Sequence, residues 1–249
     1  MIAMRTTHGR RPPLILGHRG YRARYPENTL LAFREALAAG ADGVECDVQK
    51  TADGQYVAIH DPTVDRVTGM HGEVARMSLA ELQGLDFGAG ETIPTLDDLL
   101  EALPPTAYLD LELKEETLRP EDAEPISLLL DACRRRSDLM ISSFDASLLH
   151  PFRKKGFTVG YLVGKEAAER GFVGFADVLL RLRPQYINLP VDIVAKFGPR
   201  RAAFLFRVLR GLGFSLLFWT VNTPEMAAAV RPHARMIVTD EVEKARKEW

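Results

Sequence analysis

Apolar residues along this chain fall into two alternating regimes. Short runs rich in Val, Ile, Leu, Tyr and Phe cover residues 14–17, 43–48, 108–114, 140–144, 158–163, 186–190, 216–222 and 236–240. Between all of these runs, and after the last, apolar positions recur three or four apart over 28–39, 95–103, 123–134, 145–154, 165–180, 192–212, 224–230 and 241–247. The runs predict strands, and the intervening stretches predict helices. Strands separated by helices pair in parallel through crossovers, because tight hairpins cannot join them. Eight such units predict an α/β fold, the (β/α)8 TIM barrel.

A ninth apolar run breaks the rhythm. Residues 56–60 are joined to the 43–48 run through Asp53-Gly54, a dipeptide that favours a hairpin. The run is therefore expected to fold back antiparallel after strand two and to bring His60 towards the barrel rim. Residues 61–92 then form a short insertion, with a helical piece at 78–85, before Ile93-Pro94-Thr95 opens the next helix. That is long for a connection, which points to a functional role. Asn28 or Thr29 can cap the first helix, Asp145 the fourth, and Thr223-Pro224 has the form of a cap followed by a first-turn proline. Arg134-Arg135-Arg136 reads as cations gathered at a helix C-terminus. A length of 249 residues with no linker-like segment suits one barrel domain over 1–249.

Composition narrows the function classes. A 46% hydrophobic share supports a sizeable core, and a net charge of −2 gives no reason to expect a nucleic-acid partner. No apolar run is long enough to span a bilayer, and residues 1–13 lack the apolar core of a signal peptide. The expectation is a cytoplasmic protein, monomer or homodimer, with no stable membrane anchor. Cys46 and Cys133 match no metal or disulfide spacing and read as core residues.

The strands also carry residues that an ordinary core would exclude. Side chains alternate across a strand, so Glu45 and Asp47 share one face of the second, while Asp110, Glu112 and Lys114 share one face of the third. Directed into the barrel mouth, Glu45, Asp47 and Glu112 offer three hard oxygen donors, suited to one divalent Mg2+ or Ca2+, with Mn2+ also possible. His18 ends the first strand and His60 ends the excursion, each able to exchange protons near neutral pH. Arg19 and Lys114 could face a phosphate, or could pair with Glu45 and Asp47 in a purely structural network. Phe144 and Trp219, at strand ends, are candidate walls of a substrate pocket. His8, His71, His150 and His233 lack such neighbours and read as surface residues.

Taken in order, His18-Arg19-Gly20, Pro26-Glu27-Asn28-Thr29, Glu45-x-Asp47, His60-Asp61, Glu112-x-Lys114, Ser143-Phe144, Trp219-Thr220-Val221-Asn222 and Thr239-Asp240 make the chain resemble the glycerophosphodiester phosphodiesterases, within the superfamily of the phosphatidylinositol-specific phospholipases C. The resemblance runs from the first strand to the last. It departs from the family pattern at Ala234-Arg235-Met236 and in a short insertion after His60. It implies a metal-dependent barrel that hydrolyses small glycerophosphodiesters to sn-glycerol 3-phosphate and an alcohol. In that reading His18 and His60 are acid and base, Glu45, Asp47 and Glu112 hold the metal, and Arg19, Lys114, Phe144 and Trp219 contact substrate. It also implies attack by the glycerol 2-hydroxyl on phosphorus, giving a cyclic phosphate that water opens. Two rivals stay open: a phospholipase-like or cyclising phosphodiesterase, and an inactive barrel that only binds phosphodiesters.

Overall fold

Nine strands form one sheet in the computed structural model, which describes residues 12–133, 138–164, 169 and 171–249. They are β1 (Leu14–His18), β2 (Gly43–Lys50), β3 (Tyr56–Ala58), β4 (Tyr108–Leu113), β5 (Leu139–Ser143), β6 (Val159–Leu162), β7 (Tyr186–Pro190), β8 (Ser215–Trp219) and β9 (Met236–Thr239). All except β3 run parallel in the order β1-β9-β8-β7-β6-β5-β4-β2, and β1 pairs with β2 to close an eight-stranded TIM barrel. The helices are α1 (Leu30–Ala38), α2 (Asp65–Thr68), α3 (Leu79–Gln83), α4 (Leu96–Ala102), α5 (Ala123–Ala132) and α6 (Ala146–Lys154). They continue as α7 (Gly171–Leu182), α8 (Ile193–Phe197), α9 (Pro199–Gly211), α10 (Pro224–Val230) and α11 (Val242–Glu248). No described helix is long and apolar enough to cross a membrane.

The two faces of each strand separate core from site. Val44, Cys46 and Val48 on β2, and Leu109, Leu111 and Leu113 on β4, are buried in the main apolar cluster that the helices cover. On the inward face Leu16, Tyr108, Met140, Leu217, Met236 and Val238 pack together and plug the barrel. Two residues further along their strands stand His18, Asp110 and Ser142, so the barrel turns polar towards its C-terminal mouth.

Most element ends shift by a residue or two from the sequence expectation, and three of the differences have a clear local reason. The helix expected over 192–212 is two helices, because Gly198 sits at φ 78° and Pro199 disfavours a helical residue before it. Helix α1 begins at Leu30, with the Thr29 side chain accepting from the Ala32 amide, because Asn28 is turned to the site. The strand expected to reach residue 222 ends at Trp219, and beyond it Asn222 bonds the Thr239-Asp240 segment instead of a ladder. The first part of the helix expected from 165, and Arg134-Arg135-Arg136, lie outside the described residues.

The excursion after β2 is built as expected, with β3 antiparallel on β2 through Val48↔Ala58 and Lys50↔Tyr56. It carries its own small core, in which Val57, Ile59, Val64, Val74, Leu82, Phe87 and Ile93 are buried. The buried Gln49 side chain donates to the carbonyls of Ile59, His60 and Asp61 at 3.3, 3.0 and 2.7 Å. That clamp fixes where His60 leaves the strand.

Candidate active site

The turn after β1 delivers the first part of the site. Arg19 and Gly20 have φ of 53° and 84°, and a Cβ on Gly20 would lie 2.5 Å from the Ala32 backbone, so the turn packs directly on α1. This geometry aims the Arg19 amide at Glu45 Oε2, 3.0 Å away, and its guanidinium at Glu27 (2.8 Å) and Asp47 (3.1 Å). Asn28, also left-handed at φ 55°, donates to Asp47 Oδ2 at 2.9 Å while its own carbonyl oxygen accepts from the Asp47 amide.

Glu45, Asp47 and Glu112 converge as the alternation implies, with one carboxylate oxygen from each within 4.8 Å of the others. Lys114 lies between two of them, its Nζ 2.9 Å from Asp47 and hydrogen-bonded to Glu112. Burial, reinforced by Asp47 and Glu112, pushes the Glu45 carboxyl well above its usual range. Burial also raises Glu112, to about 7, against the opposing pull of Lys114. For Asp47 the Lys114 and Arg19 cations outweigh burial and hold the carboxyl below its usual range. Asp110, deeper in the barrel, is raised to about 8 by burial and the nearby Glu112 and Asp47, although the Ser142 hydroxyl donates to it at 2.7 Å. The cluster therefore gathers more carboxyls than its two cations can keep ionised.

This donor set fits a hard divalent cation. Glu45 Oε1 is a buried oxygen with no hydrogen-bond partner among the described residues, aligned with two further carboxylates on one face of the barrel.

Both histidines are backed by a carboxylate. His18 Nδ1 lies 2.6 Å from Asp240 Oδ1, and its Nε2 points towards Glu45 Oε2 at 4.0 Å. Asp240 Oδ2 in turn accepts from Asn222 Nδ2 at 2.7 Å. His60 Nδ1 lies 2.7 Å from Asp61, which also accepts from Arg66. Burial, with the charges of Lys114 and Arg19, lowers the His60 pKa although Asp47 opposes. Phe144 and Trp219 meet edge to face at 5.8 Å on the rim, and the buried Trp219 Nε1 has no hydrogen-bond partner among the described residues. Of the other histidines, His71 is exposed, while His233 is partly buried against Phe206 at 5.4 Å, correcting its surface reading. His8 lies outside the described residues.

Arg19 and Lys114 come to the site as expected, but their donors are directed at carboxylates. Asp240, Asp61, Asn222, Asn28, Glu27 and Gln49 were not singled out from sequence as site residues. Most of them stand in the short strings that carry the family resemblance, which was the signal available.

The closed barrel, its polar mouth and the comparisons with known proteins define a class, the TIM-barrel phosphoric diester hydrolases. Residues 18–244 match the model of the glycerophosphoryl diester phosphodiesterase family. The chain is 32% identical over 242 residues to a glycerophosphodiester phosphodiesterase of Caldanaerobacter subterraneus, covering 92% of this chain and 95% of that one. Its fold matches the crystal structure of the Thermotoga maritima glycerophosphodiester phosphodiesterase with a TM-score of 0.79 at 32% identity, over 96% and 99% of the two chains. It also matches an Oleispira antarctica phosphodiesterase solved in complex with the product sn-glycerol-3-phosphate, with a TM-score of 0.81 at 26% identity over 94% and 96% of the chains. The chain belongs to the glycerophosphoryl diester phosphodiesterase family.

Proposed function

We propose that this enzyme hydrolyses small glycerophosphodiesters to sn-glycerol 3-phosphate and an alcohol within a single domain. The observation that carries the proposal is the convergence, at one barrel mouth, of a carboxylate triad with two histidines that each have a carboxylate behind them. An inactive binding barrel would have no chemical need for that pairing, and the product bound to the Oleispira relative supports the substrate class.

Glu45, Asp47 and Glu112 would hold one divalent cation, Mg2+, Ca2+ or Mn2+, which when bound supplies Lewis-acid stabilisation of phosphate charge. His60, favoured in its neutral form, takes the proton of the glycerol 2-hydroxyl as that oxygen attacks phosphorus. His18, held at Nδ1 by Asp240, gives a proton from Nε2 to the departing alcohol. Water then opens the cyclic phosphate, with the proton transfers run in reverse. The remaining N–H donors of Arg19 and Lys114 orient the phosphate oxygens. Phe144 and Trp219 wall the headgroup side.

The test combines chelation with substitution. Excess chelator should abolish turnover of glycerophosphodiesters, and a hard divalent ion should restore it. His18→Ala and His60→Ala should each lower turnover roughly 10²- to 10⁴-fold. On a glycerol aryl phosphodiester whose leaving group needs no proton, His18→Ala alone should recover. Full activity in chelator, or near-wild-type turnover by both variants, refutes the proposal. Accumulation of cyclic phosphate as the final product would favour the cyclising alternative.

A further inference from the structure

Away from the mouth lies the flank formed by α8, α9 and the loop before β9, and it carries the chain's longest stretch without an acidic residue. Residues 193–224 contain no Asp or Glu, yet include Lys196, Arg200, Arg201, Arg207 and Arg210. Large apolar side chains are exposed along the same stretch: Phe197 at 54%, Phe204 at 63%, Val208 at 42% and Leu212 at 68%. Phe204, Val208 and Leu212 are spaced four apart and so lie in one stripe down the outer face of α9, opposite the buried Ala202, Phe206 and Leu209. Arg200, Arg201 and Arg207 are exposed beside that stripe and make no ion pair with any described residue. Where α9 ends, a cavity of about 320 Å³ opens between the starts of β8 and β9. Its lining includes Arg210, Arg231 and Arg235 together with Phe214, and contains no carboxylate. Exposed apolar groups interleaved with arginines form a surface suited to the boundary between acyl chains and headgroups of a bilayer. An arginine-lined cavity at the end of the stripe adds a place for a phosphate group.

We propose that this flank is a peripheral docking surface for an anionic lipid bilayer. Phe204, Val208 and Leu212 enter the interface, and Arg210, Arg231 and Arg235 receive a lipid phosphate. A second copy of the chain is a poorer occupant, since like-charged arginines would meet across the contact. The proposal does not depend on the chemistry assigned to the barrel mouth.

The test is co-sedimentation of the full chain with vesicles rich in phosphatidylglycerol, compared with vesicles of phosphatidylcholine alone. Binding should favour the anionic vesicles and weaken as salt rises. Arg231→Ala combined with Arg235→Ala should weaken partition roughly 30-fold, and Phe204→Ser combined with Leu212→Ser roughly 10-fold or more. Because these side chains lie on the surface or line an open cavity, thermal melts should stay near wild type, which checks that each variant folds. Equal binding to both vesicle types, or unchanged binding by both double variants, overturns the proposal. So does loss of vesicle binding on adding soluble glycerophosphoglycerol, which would place the lipid in the catalytic mouth. A dimer that Phe204→Ser with Leu212→Ser converts to monomer, with vesicle binding intact, would assign the stripe to a second copy and also overturn it.

Discussion

Replacing Asp240 by Asn should disable the enzyme without unfolding it, because a neighbouring amide dictates which way the new side chain must face. Asn222 Oδ1 accepts from the Asp240 amide at 2.9 Å and from the Thr239 hydroxyl at 3.2 Å, so Asn222 Nδ2 is left to donate to Asp240 Oδ2 at 2.7 Å. An Asn at 240 would keep that bond by turning its carbonyl oxygen to Asn222. Its NH2 group would then face His18 Nδ1, where a carboxylate oxygen stands at 2.6 Å in the native protein. A donor in that position forces the proton onto Nε2 of the neutral ring and opposes the imidazolium. Loss of the charge-assisted bond alone is worth about 1.5–3 kcal/mol. The wrong tautomer adds to this, so turnover should fall roughly 10²- to 10⁴-fold. The assay is steady-state hydrolysis of a glycerophosphodiester at saturating cation, with a urea melt beside it. KM should change little, since Asp240 acts through His18 and does not hold substrate. Turnover within threefold of wild type would refute the tautomer argument. A collapse of the unfolding transition would mean instead that Asp240 is chiefly structural.

Glu27 should contribute to acid sensitivity. Burial opposes its charge, but hydrogen bonds from Arg66 and Arg19 hold the carboxyl at about 2 against an ordinary value of 4.5, so its stabilisation is complete above about pH 4.5 and is lost as pH falls towards 2. Glu27→Gln should therefore cost about 1–2 kcal/mol at pH 7, allowing for solvent screening at Arg66, and nearly nothing at pH 2, as read from denaturant melts. Asn28→Ala should leave the Asp47 amide without its partner and Asp47 Oδ2 with only its ion pair to Arg19; calorimetric titration should show cation affinity weakened roughly 10- to 100-fold, with unchanged affinity counting against the scaffold role. Lys114→Met should separate two contributions of the ammonium. Cation affinity should tighten roughly 10-fold as a competing charge leaves the triad, while turnover falls because phosphate loses a donor; weaker cation binding would show that Lys114 organises the carboxylates instead.

The barrel and its acidic face were legible because both follow from period. Alternation on residues 43–48 and 108–114 places Glu45, Asp47 and Glu112 on one surface, and the structure puts them there. The break at Gly198-Pro199 was also written in the sequence, as a proline with a glycine before it, but the apolar period on both sides masked it. Two of the residues that fix the histidines were harder to read, since they stand on other elements of the fold. Asp240 reaches His18 across 222 positions and Gln49 reaches the His60 carbonyl across 11, and neither residue type is unusual at a strand end. The charge state of the cluster was least legible of all. Sequence supplies three carboxylates and two cations near them, and by that count Arg19 and Lys114 could belong to substrate. Geometry shows that both make their short contacts with carboxylates, Lys114 to Asp47 and Glu112, Arg19 to Asp47 and Glu27. Buried anions this close each raise the cost of ionising the next, so the cations are needed merely to keep Asp47 charged, and they leave Glu45 pushed upward. A further positive charge at the mouth would therefore act first on Glu45, the one member of the triad whose side chain neither Lys114 nor the Arg19 guanidinium contacts.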